Sequence, residues 1–196
     1  MPFDPASFFD TMRHGLMGPS LEANEVSGCE TIFAAMKGLP RSWCAYALAT
    51  AWHETAATMQ PVREAFHLSE AWRKKNLRYW PWYGRGYVQI TWKENYERAD
   101  KELGLGGLLI ADRERAMNPA IAAEIMRRGM VDGWFSRDKK GAHSLARHLP
   151  REREAGLEAF VEARRIINGT DKALMIARYA WIFQGALAMA GWPISG

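Results

Sequence analysis

Residues 40 to 64 read PRSWCAYALATAWHETAATMQPVRE, and the reading of this stretch decides the fold. From Pro40 to Thr55 a helical projection puts Cys44, Leu48 and Ala51 on one side and Trp43, Ala47 and Thr50 on the adjoining one, so the segment is apolar almost all round. A helix of that kind belongs at the centre of a mainly α domain. It closes on Glu54, a carboxylate in the last turn, where the negative end of the helix dipole and burial both disfavour the charged form. Beyond Pro61 comes a second carboxylate, Glu64, next to Arg63 in a more polar setting. Awkwardly placed charges are where function tends to sit.

The flanking sequence supplies further helices. Asp4-Pro5 caps one over residues 5–16, with Phe8, Phe9, Met12 and Leu16 on a face; Val26, Cys29, Phe33 and Met36 mark a second over 22–37, closed by Gly38. Ser69 caps a short helix, SEAWRKKN. RYWPWYGRGYVQI, residues 78–90, breaks the helical period and reads as a small β-ribbon. TWKE, 91–94, has capping-box spacing and predicts a helix from Trp92 to Leu103. Asn118-Pro119 opens another, to about Phe135; RDKKGAH, 137–143, is polar and expected to be mobile. A helix over 152–167, a turn at INGT and a last helix capped by Asp171 and ending near Ala190 complete the chain. With neither repeat nor linker in sight, residues 1–196 read as a single domain.

The 196 residues, 48% apolar and 24% charged, suffice to bury about 70% of the unfolded surface without staples. Nine tryptophans suit a groove for sugars or bases. The formal charge of +4 favours anionic partners, but the signs alternate along the chain, which describes a solvated surface and not a nucleic-acid footprint. Cys29 and Cys44 lie in apolar helical stretches and read as buried free thiols. The N-terminal MPFDPASFFDTMRHG has no basic region followed by an apolar one, so the chain is expected to be made in the cytoplasm. YAWIFQGALAMAGW, 179–192, falls short of the roughly 18 residues that span a bilayer and reads as a packed terminal helix; peripheral membrane contact is the alternative. A monomer is expected.

His53-Glu54 invites a zinc-protease reading, but the residue four after His53 is Ala57, and His14, His67, His143 and His148 lack ligand spacing. Neither metal nor cofactor is expected, and GRG at 84–86 is too short for a phosphate cradle. Two carboxylates in unlike surroundings fit a glycosidase, which needs one acid protonated to donate to the leaving oxygen and another ionised to activate water or attack. Glu54 suits the first role and Glu64 the second.

YGRGYVQITWKENY at 83–96, taken with WHET at 52–55 and RRIINGTD at 164–171, resembles the family 19 glycoside hydrolases, the chitinase and phage-endolysin group with a lysozyme-like, mainly helical fold. The resemblance spans roughly residues 40 to 190. It implies Glu54 as general acid, Glu64 as general base with Glu70 as a second candidate, and Thr91 holding the attacking water. It implies further that Tyr83, Gln89, Asn95 and Tyr96 line the sugar cleft, with Asn168 and Arg165, or Arg164, on the opposite wall. The implied reaction inverts the anomeric carbon and needs carboxyls roughly 6.5 to 9.5 Å apart. Compactness, basic charge and the missing signal peptide favour bacterial peptidoglycan over chitin as the polysaccharide, hence an endolysin acting at the cell wall after release. A noncatalytic glycan-binding module is the rival reading.

Overall fold

The computed structural model describes residues 2–167 and 169–196. Its centre is α3 (Arg41–Glu54), in which every residue from Ser42 to Trp52 is buried. Four alanines on α3, Ala45, Ala47, Ala49 and Ala51, are fully buried, and α10 (Ala173–Met189) packs along the helix. Around this pair pack α1 (Pro5–Arg13), α2 (Ala23–Met36), α7 (Pro119–Asp132) and α9 (Leu157–Ala163), the last continued by a 3-10 turn at Arg164–Ile166. The caps at two helix starts are those the sequence announces: Asp4 accepts from the Ala6 N–H at 3.0 Å, and Asn118 from Ala120 and Ile121, each with proline at the first helical position. Both cysteines are free and buried. Among the described residues no helix is long and apolar enough to cross a membrane.

A small lobe carries the remaining short elements. β1 (Val62–Arg63) pairs antiparallel with β2 (Arg85–Gly86) in the register Val62↔Gly86, Arg63↔Arg85. The expected ribbon therefore exists, but half of it comes from the loop after α3. Between its strands stands α4 (Glu70–Asn76), capped by Ser69; after it come α5 (Lys93–Glu102), α6 (Leu108–Ala111) and a 3-10 helix at Arg113–Met117.

Three local expectations need correction. The Thr91–Glu94 capping box does not form: the Trp92 N–H donates to the Trp82 carbonyl at 2.8 Å, Trp92 takes φ 74 and becomes the N-cap, and the Thr91 hydroxyl turns to the Gln89 carbonyl. Asp171 does not cap α10; its carbonyl accepts from Arg164 at 2.9 Å, and the helix starts two residues later from a left-handed Lys172. RDKKGAH is no loose loop but a hairpin, β3 (Arg137–Asp138) against β4 (Gly141–Ala142), clamped where Arg147 of α8 (Leu145–His148) grips both Asp138 oxygens.

One close contact seats the loop after α3 on the body, and one set of ion pairs cross-links the lobe. Gly28 of α2 lies under the loop after α3, and a Cβ there would stand 1.8 Å from the Met59 carbonyl oxygen. Glu114 sits between Arg63 and Arg85, accepting from one Nε at 2.9 Å and the other at 2.8 Å, and so ties both strands of the ribbon to the 3-10 helix. Partial burial would raise the Glu114 pKa, but the two guanidinium bonds prevail and hold it below its ordinary 4.5.

Gly28→Ala is expected to destabilise the fold by about 1–3 kcal/mol, the range for overpacking. Gly185→Ala, exposed in α10 with nothing near it, should stabilise by about 0.5–1 kcal/mol. Urea denaturation of both variants reads the difference. Because folded Glu114 binds fewer protons than unfolded Glu114, its contribution is full above about pH 4.5 and vanishes as pH falls through its lowered value. Glu114→Gln should therefore lower the urea midpoint at pH 7 and flatten its fall between pH 5 and 3.

Candidate active site

Glu54 occupies the last position of α3, where the helix leaves the core, and its side chain is 19% exposed. The Arg164 guanidinium, itself 1% exposed, donates to Glu54 Oε1 at 2.9 Å and through its Nε to the Asp171 carbonyl. The purely apolar surroundings expected for this acid are thus replaced by a buried cation. Burial lowers the pKa of the neighbouring His53, and Arg164 adds to the effect, outweighing the opposite pull of Glu54. The arginine beside the acid is the first of the RR pair; Arg165 turns outward to Glu162 at 2.9 Å. Asn168, assigned to the same wall, lies outside the described residues.

Glu64 follows β1 directly. Its Oε1 accepts the Tyr79 hydroxyl at 2.5 Å, its Oε2 accepts the Gly84 N–H at 2.9 Å, and its own N–H donates to the Gly84 carbonyl. Partial burial, and then the bond to Glu64, pushes Tyr79 up to about 12, so the phenol remains a donor at neutral pH. Each carboxylate oxygen has one protein donor and keeps a lone pair free. Gly84 makes this approach possible: a Cβ there would meet Gln89 Oε1 at 2.7 Å and Glu64 Oε2 at 3.3 Å. Gln89, at φ 55, spends its amide hydrogens on the Val62 and Gly86 carbonyls and so braces the ribbon beneath the acid. The Thr91 hydroxyl donates to the Gln89 carbonyl, which leaves its oxygen able to accept from water.

The structure therefore gathers Glu64, Gln89 and Thr91 around one ribbon and places Glu54 with Arg164 at the end of the core helix. No side chain bridges the two acids among the described residues. Glu70 stands apart, accepting from Trp80 Nε1 at 2.8 Å, from the Tyr83 hydroxyl at 2.8 Å and from Arg73. Its slight burial would raise its pKa, but these three bonds lower it. It borders an open cavity of about 510 Å³, with Arg63, Trp80, Tyr83, Arg113 and Glu114 among its walls, which neither Glu54 nor Glu64 lines. Tyr83 and Tyr96 are buried: Arg85 lies 3.7 Å over the Tyr83 ring, and the Tyr96 hydroxyl donates to the Tyr83 carbonyl. Asn95, half-buried, donates to the Thr91 carbonyl at 2.6 Å. Sequence reasoning missed Tyr79, which lies 15 residues from its partner and has no local signature.

No protein-family model and no curated protein sequence matches the chain. Solved structures do. Chitinase C from Streptomyces griseus HUT6037 aligns with a TM-score of 0.62 at 20% identity, covering 99% of this chain and 80% of its own. A glutamate-to-glutamine mutant of chitinase C aligns at 0.60 and 18% identity with the same coverage. A bacterial family 19 chitinase aligns at 0.52 and 20% identity, covering 99% of this chain and 97% of the other. The chain thus has, over nearly its whole length, the lysozyme-like helical fold of the family 19 chitinases.

Proposed function

We propose that the protein is a glycoside hydrolase that cleaves β-1,4 bonds in N-acetylated aminosugar polymers by single displacement with inversion. The observation that carries this reading is a pair of glutamates held in place at the two ends of one short segment: Glu54 by a buried guanidinium, Glu64 by a phenol and a backbone amide. Glu54 gives its proton to the leaving oxygen, and Arg164 then faces the carboxylate that remains. Glu64, oriented by Tyr79 and Gly84, takes a proton from the water that attacks the anomeric carbon, while Thr91 offers that water an acceptor. Tyr83 and Tyr96 act from behind, as packing beneath the Glu70 and Gly84 wall.

Bacterial peptidoglycan is our preferred substrate, with action at the cell wall after release from the cytoplasm; the positive net charge supports attraction to an acidic wall. Chitin is the second reading, favoured by the names of the chitinases that share the fold.

Glu54→Gln and Glu64→Gln should each lower the hydrolysis rate about 10²- to 10⁴-fold, measured as turbidity loss of purified sacculi and as reducing sugar released from chitin oligomers. Wild-type rates in both variants would show that the acid and base are assigned wrongly. NMR of the first product should show the α-anomer; a β-anomer excludes single displacement. Tyr79→Phe should cut kcat about 3- to 10-fold, the worth of one hydrogen bond, with a smaller change in KM.

A further inference from the structure

The lobe that holds Glu64 carries three tryptophan and cation pairs, two on exposed rings and the third on Trp82, half-buried against the core. Lys74 Nζ stands 5.1 Å from the Trp80 ring centre, Arg78 lies 5.3 Å over Trp92, and Arg113 lies 5.0 Å over Trp82. Trp80 and Trp92 are 38% and 43% exposed, whereas the other two arginine and tryptophan pairs, Arg98 on Trp134 and Arg151 on Trp43, cover buried rings. Among the described residues Lys74, Arg78 and Arg113 have no carboxylate partner, although Arg63, Arg73 and Arg85 nearby are matched by Glu114 and Glu70. Over residues 55–117 eleven Lys and Arg stand against eight Asp and Glu, an excess of three positive charges that is comparable with the formal net charge of the whole chain, +4.

One pair reaches the proposed base through Tyr79, and the other two stand at the neighbouring cavity. Trp80 and Arg113 line the 510 Å³ cavity, and Trp92 packs edge-on at 5.0 Å against Tyr79, whose hydroxyl holds Glu64. Exposed aromatic surface accepts sugar rings, and an unpaired cation beside it favours a sugar that brings negative charge. A neutral aminosugar polymer gives these cations nothing to neutralise. An anionic polymer lacking sugars leaves the tryptophans unused.

We propose that this surface binds an aminosugar polymer whose rings themselves bear carboxyl-carrying substituents, and that it selects such a wall glycan over a neutral one. The proposal rests on the glycosidase reading for its biological sense, but binding can be measured without turnover. Exposed cations act within a Debye length of about 8–10 Å, so the attraction is short-ranged and salt-sensitive.

The test is co-sedimentation of the protein with purified sacculi and with insoluble chitin, for wild type and for the triple variant Lys74→Gln/Arg78→Gln/Arg113→Gln, with circular dichroism to verify the fold. We expect sacculus binding to weaken at least tenfold in the variant and to lose most of its salt dependence, while the ratio of sacculus to chitin affinity collapses. Equal losses on both polymers, or none on either, overturn the proposal. Sacculi stripped of phosphate polymers should bind wild type as before, and sacculi with amidated carboxyls should not; the reverse result assigns the surface to phosphate and also overturns it. So does a single-stranded DNA oligonucleotide that binds wild type as tightly as sacculi do. Retained selective binding in a protein that hydrolyses nothing would refute the enzyme reading and leave this one standing.

Discussion

The burial of α3 against α10 is the constraint from which the rest follows. A helix with small buried side chains on opposite sides lets its neighbours approach closely, and these alanines have no side-chain freedom to lose. Such a helix can carry a charge only where it emerges. Glu54 stands at that exit, and the buried Arg164, reaching in from the turn after α9, meets it there. Removing either partner would leave the other short of a charge-assisted bond in a place where water is scarce.

The second carboxylate is held by a different kind of structure. Glu64 depends on a ribbon only two residues wide, on an amide that braces it from Gln89, and on Glu114 gripping an arginine from each strand. One acid is thus a product of the core and the other of a lobe cross-linked by polar contacts. That division gives the two carboxylates unlike partners.

Several helix starts and the central helix were legible in the sequence. Asp4-Pro5, Ser69 and Asn118-Pro119 opened helices as their chemistry dictates, and the unbroken apolar character of residues 42–52 placed α3 at the centre. The lysozyme-like fold came from the resemblance of three motifs, and the chitinase structures agree with it. Distant partners left no trace. A strand of two residues at Val62–Arg63 has no periodicity to read, and the positive-φ caps at Trp92 and Lys172 stand beside long-range hydrogen bonds, Trp92 N–H to Trp82 and Arg164 to the Asp171 carbonyl, on residues that do not favour that backbone. Nothing in RR tells which arginine faces inward; the 3-10 turn decides it for Arg164. Tyr79 and Glu64 meet only because the ribbon folds the chain back on itself.

Between the two acids the chain has no glycine, yet Ala56, Ala57 and Met59, and Ala65 just past the second acid, all have φ between 50° and 68°. L-residues enter that region at a cost of roughly 1–2 kcal/mol each, so the loop keeps its path because its surroundings insist on it, with Met59 wedged on Gly28 and capped by the Thr55 hydroxyl. A loop fixed in that way ties the position of Glu64 to the seating of one buried methionine against α2.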